Sequence, residues 1–174
     1  MNQKVAKLWF HPTQGASNWL WLSVLVVLLD QATKAWVSRT LDLNQWIDML
    51  PFLQITRLHN EGAAFSLLAS ASGWQRWFFI VLGLVICVVL MVWLRRIRTP
   101  EHTLLALGFS LVLGGALGNI IDRVWLGHVV DFIHVHWSDW YFPAFNVADS
   151  AISVGACCLL LDAFKERESG KHQG

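Results

Sequence analysis

Charge is scarce in this sequence. Asp, Glu, Lys and Arg make up 14% of its 174 residues and nearly cancel, leaving a formal net charge of +1. Nucleic-acid binding needs a basic patch or stripe, and the basic residues here are scattered or sit beside apolar runs, so that class finds no support. Cysteine is rare as well. Cys87, Cys157 and Cys158 all fall inside apolar runs, and their odd number gives no disulfide framework. A neutral thiol in such surroundings behaves as a small hydrophobe, and metal binding would require a desolvated thiolate. The three read as packing residues, with Cys157 and Cys158 on different sides of a helix. Pro-rich linkers, low-complexity tracts and long repeats are missing too, so one domain over residues 1–174 accounts for the chain.

What remains is apolar: 55% hydrophobic residues and a mean hydropathy of +0.47. Soluble domains of this size are rarely so apolar, which points to an integral membrane protein. A hydrocarbon core about 30 Å thick needs roughly 20 helical residues to cross. Four segments qualify, at approximately 18–38, 75–94, 102–122 and 144–164. The second is uncharged from Trp77 to Leu94, whereas Asp30 and Lys34 interrupt the first and Asp149 the fourth. The run from Trp19 to Leu29 follows Lys4 and Lys7 and imitates a secretory signal peptide. It leads into Asp30, Gln31 and Lys34 without a small-residue cleavage site, so it counts as the first span.

Lys4 and Lys7, then Arg95, Arg96 and Arg98, then Lys165, Arg167 and Lys171 all lie on one side of a four-span chain. The positive-inside rule makes that side, with both termini, cytoplasmic. Trp19, Trp36, Trp74, Trp77, Trp93, Trp125, Trp137 and Trp140 lie at or near the span ends, as interfacial belts require. The outer segments, about 39–74 and 123–143, contain MLPFLQITRL (Met49 to Leu58) and HVVDFIHVHW (His128 to Trp137), with strand-like β-branched and aromatic content. The expected fold is an all-α membrane protein of four transmembrane helices, with a small extended or β-like element at the outer interface.

Charged groups inside spans are costly and mark function by default. The topology brings Asp30 and Lys34, Asn119, Asp122 and Arg123, and Asn146 and Asp149 to one outer level. Helical spacing puts Asn119 with Asp122 and Arg123, and Asn146 with Asp149 and Ser153, on common faces that should point into the bundle. Ser110, Gly114 and Gly118 recur every four residues, the small-residue spacing of close helix packing. A phosphate cradle would need a preceding strand and a following Lys-Ser/Thr, which are absent. Asp30 can pair with Lys34, and Asp122 has Arg123 and Asn119 nearby, so both can be structural ions. Asp131 and Asp149 are the least neutralised acids at this level. Two carboxylates sharing a site can hold one proton, the equipment for activating water with one acid while the other protonates a carbonyl. Spacing alone does not choose this pair.

Other chemistries compete. His128, His134 and His136 suggest a metal-dependent membrane hydrolase, but there is no HExxH, and His-x-His at an interface is more often an amphipathic surface feature; activity surviving a chelator would remove that reading. Ser150 and Ser153 lack a well-placed lysine base, no Gly-x-Ser-x-Gly elbow exists, and Ser66 in GAAFS is left as the remaining hydroxyl nucleophile. An ion-relaying transporter and a noncatalytic scaffold are the non-enzyme alternatives, although four short spans make a poor ion pathway.

LLDQATK at 28–34, HNEGAAFS at 59–66, GGALGNIIDR at 114–123, VVDF at 129–132 and FNVADS at 145–150 together resemble the lipoprotein signal peptidase family, also called signal peptidase II. The resemblance implies a four-span aspartic peptidase of the bacterial inner membrane. It would cleave the signal peptide from diacylglyceryl-modified prolipoproteins immediately before the lipid-modified cysteine. It implies Asp131 and Asp149 as the catalytic pair, and Asn60, Asn119, Arg123 and Asn146 as residues that position substrate backbone or support the aspartates. Asp30, Lys34 and Asp122 would hold helix geometry. Membrane lipids and prolipoproteins are the implied partners, with no obligate protein partner, metal or cofactor. The family also implies an extended periplasmic platform, matching the two apolar outer segments, and a mobile helix beside the site, for which Asn60 to Gly73 is the available stretch.

Overall fold

The structure, a computed structural model, describes residues 16–62, 73–97, 102–138 and 140–171, with side chains as far as Lys165 in the last stretch. Four helices dominate: α1 (Leu20–Thr40), entered through a 3-10 turn at Ala16–Trp19, α2 (Trp74–Leu94), α3 (Thr103–Trp125) and α4 (Val147–Lys171). All four are long and apolar enough to cross a membrane. In hydrocarbon only a helix or a closed barrel satisfies every backbone N–H and C=O, so these Leu- and Val-rich runs have a single outcome. Leu28, Val88 and Leu160 point outward, as befits a molecule whose solvent is lipid. Trp36, Trp74, Trp93 and Trp125 are exposed near helix ends, where interfacial anchors belong.

Helix α3 is the hub: half of its apolar window is buried, against 22–28% for the other three. Its small residues permit this. A Cβ on Gly114 would lie 2.8 Å from the Ser23 carbonyl oxygen, and one on Gly118 would lie 2.6 Å from Asp30 Oδ2. The Ser23 hydroxyl donates to the Ser110 carbonyl at 2.7 Å, so the Ser110–Gly114–Gly118 stripe is the seat of α1. A second close approach, not read from the sequence, seats α4: a Cβ on Gly108 would lie 2.9 Å from the Gly155 carbonyl, and Gly115 abuts the Ala148 backbone. Cys87 and Cys158 are buried in the helix packing while Cys157 is exposed, the division expected of neighbours on one helix.

The outer segments form a four-stranded antiparallel sheet in the order β1 (Trp46–Leu50), β2 (Leu53–Asn60), β3 (Val129–Trp137), β4 (Trp140–Tyr141). The Met49 to Leu58 run is therefore not one extended piece but a hairpin that turns at Pro51 and Phe52, because proline cannot donate within a strand ladder. Strand β2 pairs with β3 so that Leu58 faces Asp131 and Asn60 faces Val129. The sheet is tied to the bundle by a small core of Val37, Leu41 and Phe132.

Two helix boundaries place the polar residues. At the end of α3, Gly127 adopts φ +89, a left-handed stop that turns the chain straight into β3 and brings Asp131 beside the helix it has just left. At the other boundary, the fourth helix starts at Val147 rather than 144. Asn146 caps it: Asn146 Oδ1 accepts the Asp149 N–H at 2.9 Å, and the Asn146 N–H donates to Asp149 Oδ2 at 3.3 Å. This reciprocal capping box fixes the helix start and the Asp149 carboxylate together.

Candidate active site

A cavity of about 1120 Å³ opens where the sheet meets α3 and α4. Asn60, Asn119, Arg123, Asp131 and Asp149 all line it, from four separate parts of the chain. Asp131 comes from the third position of β3 and is buried at 3% exposure; Asp149 comes from the first turn of α4 and is half-buried. Each carboxylate is held by amides rather than by cations. Asn60 Nδ2 donates to Asp131 Oδ2 at 2.9 Å and Asn146 Nδ2 to Asp131 Oδ1 at 2.7 Å, while Asn119 Nδ2 donates to Asp149 Oδ1 at 2.8 Å. Among the described residues neither acid forms an ion pair. Burial, and next the Asp149 charge, push the Asp131 pKa up to about 6, against the pull of the Asn60 and Asn146 amides and of Lys34. Such a group exchanges its proton near neutral pH.

Behind the cavity lies a buried ionic layer. Lys34 Nζ reaches Asp30 Oδ2 at 2.8 Å, Asp122 Oδ2 at 3.0 Å and Asn119 Oδ1 at 3.0 Å. The expected Asp30–Lys34 pair is present. The expected neighbours of Asp122 are not its partners: Asp122 pairs across helices with Lys34, while Arg123 donates to the Gly62 carbonyl at 2.9 Å and lies over the Phe79 ring. One residue on a helix cannot face the same way as the next, so Arg123 is turned outward where Asp122 is turned in. Gln31 joins the layer, its Nε2 lying 2.9 Å from Asp122 Oδ1 and 3.2 Å from Asp30 Oδ2 and from the Gly118 carbonyl. Sequence reasoning missed Gln31 because helix spacing shows only its own face, whereas two of its partners, Asp122 and Gly118, sit on α3.

The histidines take up other contacts. His59 stacks on His128 with ring centroids 3.6 Å apart, and His134 and His136 both lie against Tyr141. Burial lowers the pKa of His59, His128 and His134, favouring their neutral forms. Among the described residues no three His, Cys, Asp or Glu side chains are grouped to hold a metal. Ser153 is exposed and makes no bond to Asp149, while the Ser150 hydroxyl is bound to the Asn146 carbonyl at 2.9 Å. Ser66 and residues 63–72 of the Asn60 to Gly73 stretch lie outside the described residues.

The family model described as signal peptidase (SPase) II matches residues 22–165. The chain belongs to the signal peptidase II family. The lipoprotein signal peptidases of Pseudomonas aeruginosa (strain UCBPP-PA14) and Ectopseudomonas mendocina are 54% and 55% identical to it over 159 residues, covering 90% of this chain and 94% of each relative. Among solved structures, a bacterial membrane enzyme determined by the in meso method at 2.3 Å resolution superposes with a TM-score of 0.79 at 31% identity, over 91% of this chain and 96% of that one. A second, at 1.9 Å, gives 0.73 at 32% identity over 86% and 94%. Signal peptidase II membership makes the chain a membrane protease, in place of the transporter and scaffold alternatives.

Proposed function

We propose that this protein removes the signal peptide from diacylglyceryl-modified prolipoproteins, cleaving immediately before the lipidated cysteine with Asp131 and Asp149 as an aspartic dyad. The observation that carries the reading is the pair itself: two carboxylates from different elements in one cavity, each held by asparagine amides and neither neutralised by an ion pair among the described residues. With its elevated pKa, Asp131 suits the protonated role, and Asp149 the base. Asp149 takes a proton from water as the water oxygen bonds to the scissile carbonyl carbon, and Asp131 gives its proton to the carbonyl oxygen. The tetrahedral gem-diol then collapses: the C–N bond breaks, one of its hydroxyls returns a proton to Asp131 as the C=O re-forms, and the proton held by Asp149 passes to the departing cysteine amine. Asn60 and Arg123, both on the cavity wall, are placed to hold substrate backbone.

The remaining parts of the reading follow from topology. The sheet connects to the helix ends at Thr40, Trp125 and Val147, Arg76 in the first turn of α2 donates to the Val124 carbonyl beside them, and Arg95, Arg96 and Lys165 lie at the opposite ends. With the positive side read as cytoplasmic, the proposed arrangement is a bacterial inner-membrane protein with the dyad near the periplasmic face and both termini in the cytoplasm, and the arginines and lysine at the far helix ends support it. Lys4, Lys7 and Arg98, which share in that argument, lie outside the described residues.

The test is incubation of purified protein with lipidated prolipoprotein, read by the mass of the product. Release of the signal peptide is expected from the native protein. Asp131→Asn and Asp149→Asn should each abolish release while still inserting and binding substrate; near-native cleavage by either variant sinks the dyad.

A further inference from the structure

The buried layer behind the cavity has a symmetry that a merely structural ion cluster does not need. Asp30 Oδ1 accepts the backbone N–H of Ala148 at 2.9 Å, and Ala148 immediately precedes Asp149. Asp122 Oδ2 accepts the backbone N–H of Val130 at 3.1 Å, and Val130 immediately precedes Asp131. Both carboxylates are bound by one ammonium, that of Lys34, which is 3% exposed. The same ammonium donates to Asn119 Oδ1, which turns the Asn119 amide so that its NH₂ donates to Asp149. Without that contact the amide could rotate and aim its oxygen at a carboxylate.

We infer that Lys34 is a positioning residue for the dyad: through Asp30 and Asp122 it yokes the backbone just ahead of Asp149 to the backbone just ahead of Asp131, and so sets the distance between the two carboxylates. Gln31 braces the yoke from the same helix by bridging Asp30 and Asp122. The elements joined are α1, α3, α4 and β3; Asn146, which bonds Asp131 and Asp149 directly, ties the two halves at the cavity itself, and the Lys34 yoke ties them from behind. The inference rests on the dyad reading given above.

Carboxylate separation sets how strongly two acids couple, and so how far apart their two macroscopic pKa values lie. A bell-shaped dependence of kcat on pH has a width equal to that separation. Loosening the yoke should therefore narrow the bell and lower its maximum. Lys34→Met is expected to reduce kcat on the order of 100-fold, the scale of a misplacement near 1 Å, with KM for lipidated prolipoprotein little changed. Asp30→Asn and Asp122→Asn each keep one acceptor oxygen and leave Lys34 one acidic partner, a smaller loss than Lys34→Met, and they should narrow the bell as well; the melting point of each variant shows that it is folded.

Through-space charge makes a different prediction. Loss of the Lys34 charge would move the whole profile to higher pH, and loss of an Asp charge would move it to lower pH, in neither case with narrowing. Narrowing in Asp30→Asn and Asp122→Asn supports the yoke, and Lys34→Arg should recover part of what Lys34→Met loses. Parallel shifts of opposite sign, or a lower melting point with kcat and bell width unmoved, overturn it. Asp131→Asn, run alongside, separates the two ideas: cleavage by that variant would remove the dyad, whereas an inactive Asp131→Asn beside native Lys34, Asp30 and Asp122 variants would remove the yoke alone.

Discussion

Asp131 is buried at 3% exposure and, among the described residues, its carboxylate oxygens are bonded by the Asn60 and Asn146 amides, which bears on stability. Its pKa rises from 3.8 to about 6, through burial first and the Asp149 charge second. A carboxyl whose folded pKa exceeds its unfolded value binds its proton more tightly in the folded state. Its favourable contribution is complete below about pH 4 and is lost as pH rises through about 6. The rise from 3.8 to about 6 corresponds to about 3 kcal/mol, set against the fold at neutral pH. The unfolding free energy of the native protein should therefore fall relative to that of Asp131→Asn between about pH 4 and about pH 6, by up to about 3 kcal/mol. Thermal or denaturant unfolding in detergent across that range measures the difference. A flat difference would mean that the Asp131 carboxyl titrates normally. Asn146 illustrates the same economy of roles: its carbonyl caps α4 and its NH₂ holds Asp131, so one side chain fixes both a helix start and a carboxylate. FNVADS displays the i,i+3 spacing behind the cap. Nothing in it displays the bond to Asp131, fifteen residues upstream, because that bond exists only once β3 has folded back.

At the scale of elements, α3 decides whether the site assembles. The α1 seat is built from glycines whose neighbours differ in kind. Gly114 faces the Ser23 backbone and Gly118 faces the Asp30 carboxylate, whereas Gly83 on α2 meets only the end of the Ile120 side chain. Gly114→Ala has no compliant neighbour and should cost about 1–3 kcal/mol through forced separation of α1 from α3. Gly118→Ala should add a fall in kcat, since it displaces a carboxylate that grips Ala148. Gly83→Ala should be nearly neutral, because Ile120 can rotate. Melting temperatures of the three variants check the order, and a Gly83→Ala cost equal to that of Gly114→Ala would contradict it. The Ser110–Gly114–Gly118 stripe is legible as a four-residue period. The Gly108, Gly115 and Gly155 contact is not, because its members lie on two helices and have no shared period. The same limit explains Asp122: sequence neighbours offered Arg123, while the true partner, Lys34, is 88 positions away and is reached only by helix packing.

For the whole molecule, what matters is where the cavity opens. Its wall continues from Asp149 along α4 through Ile152, Ser153 and Val154, and Val154 is 54% exposed on a helix that crosses the membrane. The opposite wall rises to His134, Tyr141 and Phe142 of the sheet region. The mouth thus faces both lipid and the outer interface, and on the proposed reading an apolar signal helix reaches Asp131 and Asp149 sideways without leaving hydrocarbon. Spans and polar level are readable from hydropathy, but the mouth is not, since it depends on which face of α4 the sheet leaves uncovered. Val154→Gln puts a polar amide at the lipid-side lip, several residues from the reacting groups. It should raise KM for a lipidated substrate carrying its full apolar helix, while kcat stays near native. A short water-soluble peptide spanning only the cleavage site should show no change in KM, because it has no helix to dock. Equal effects on both substrates would mean that Val154 disturbs the dyad itself, and no effect on either would mean that the signal helix enters by another face.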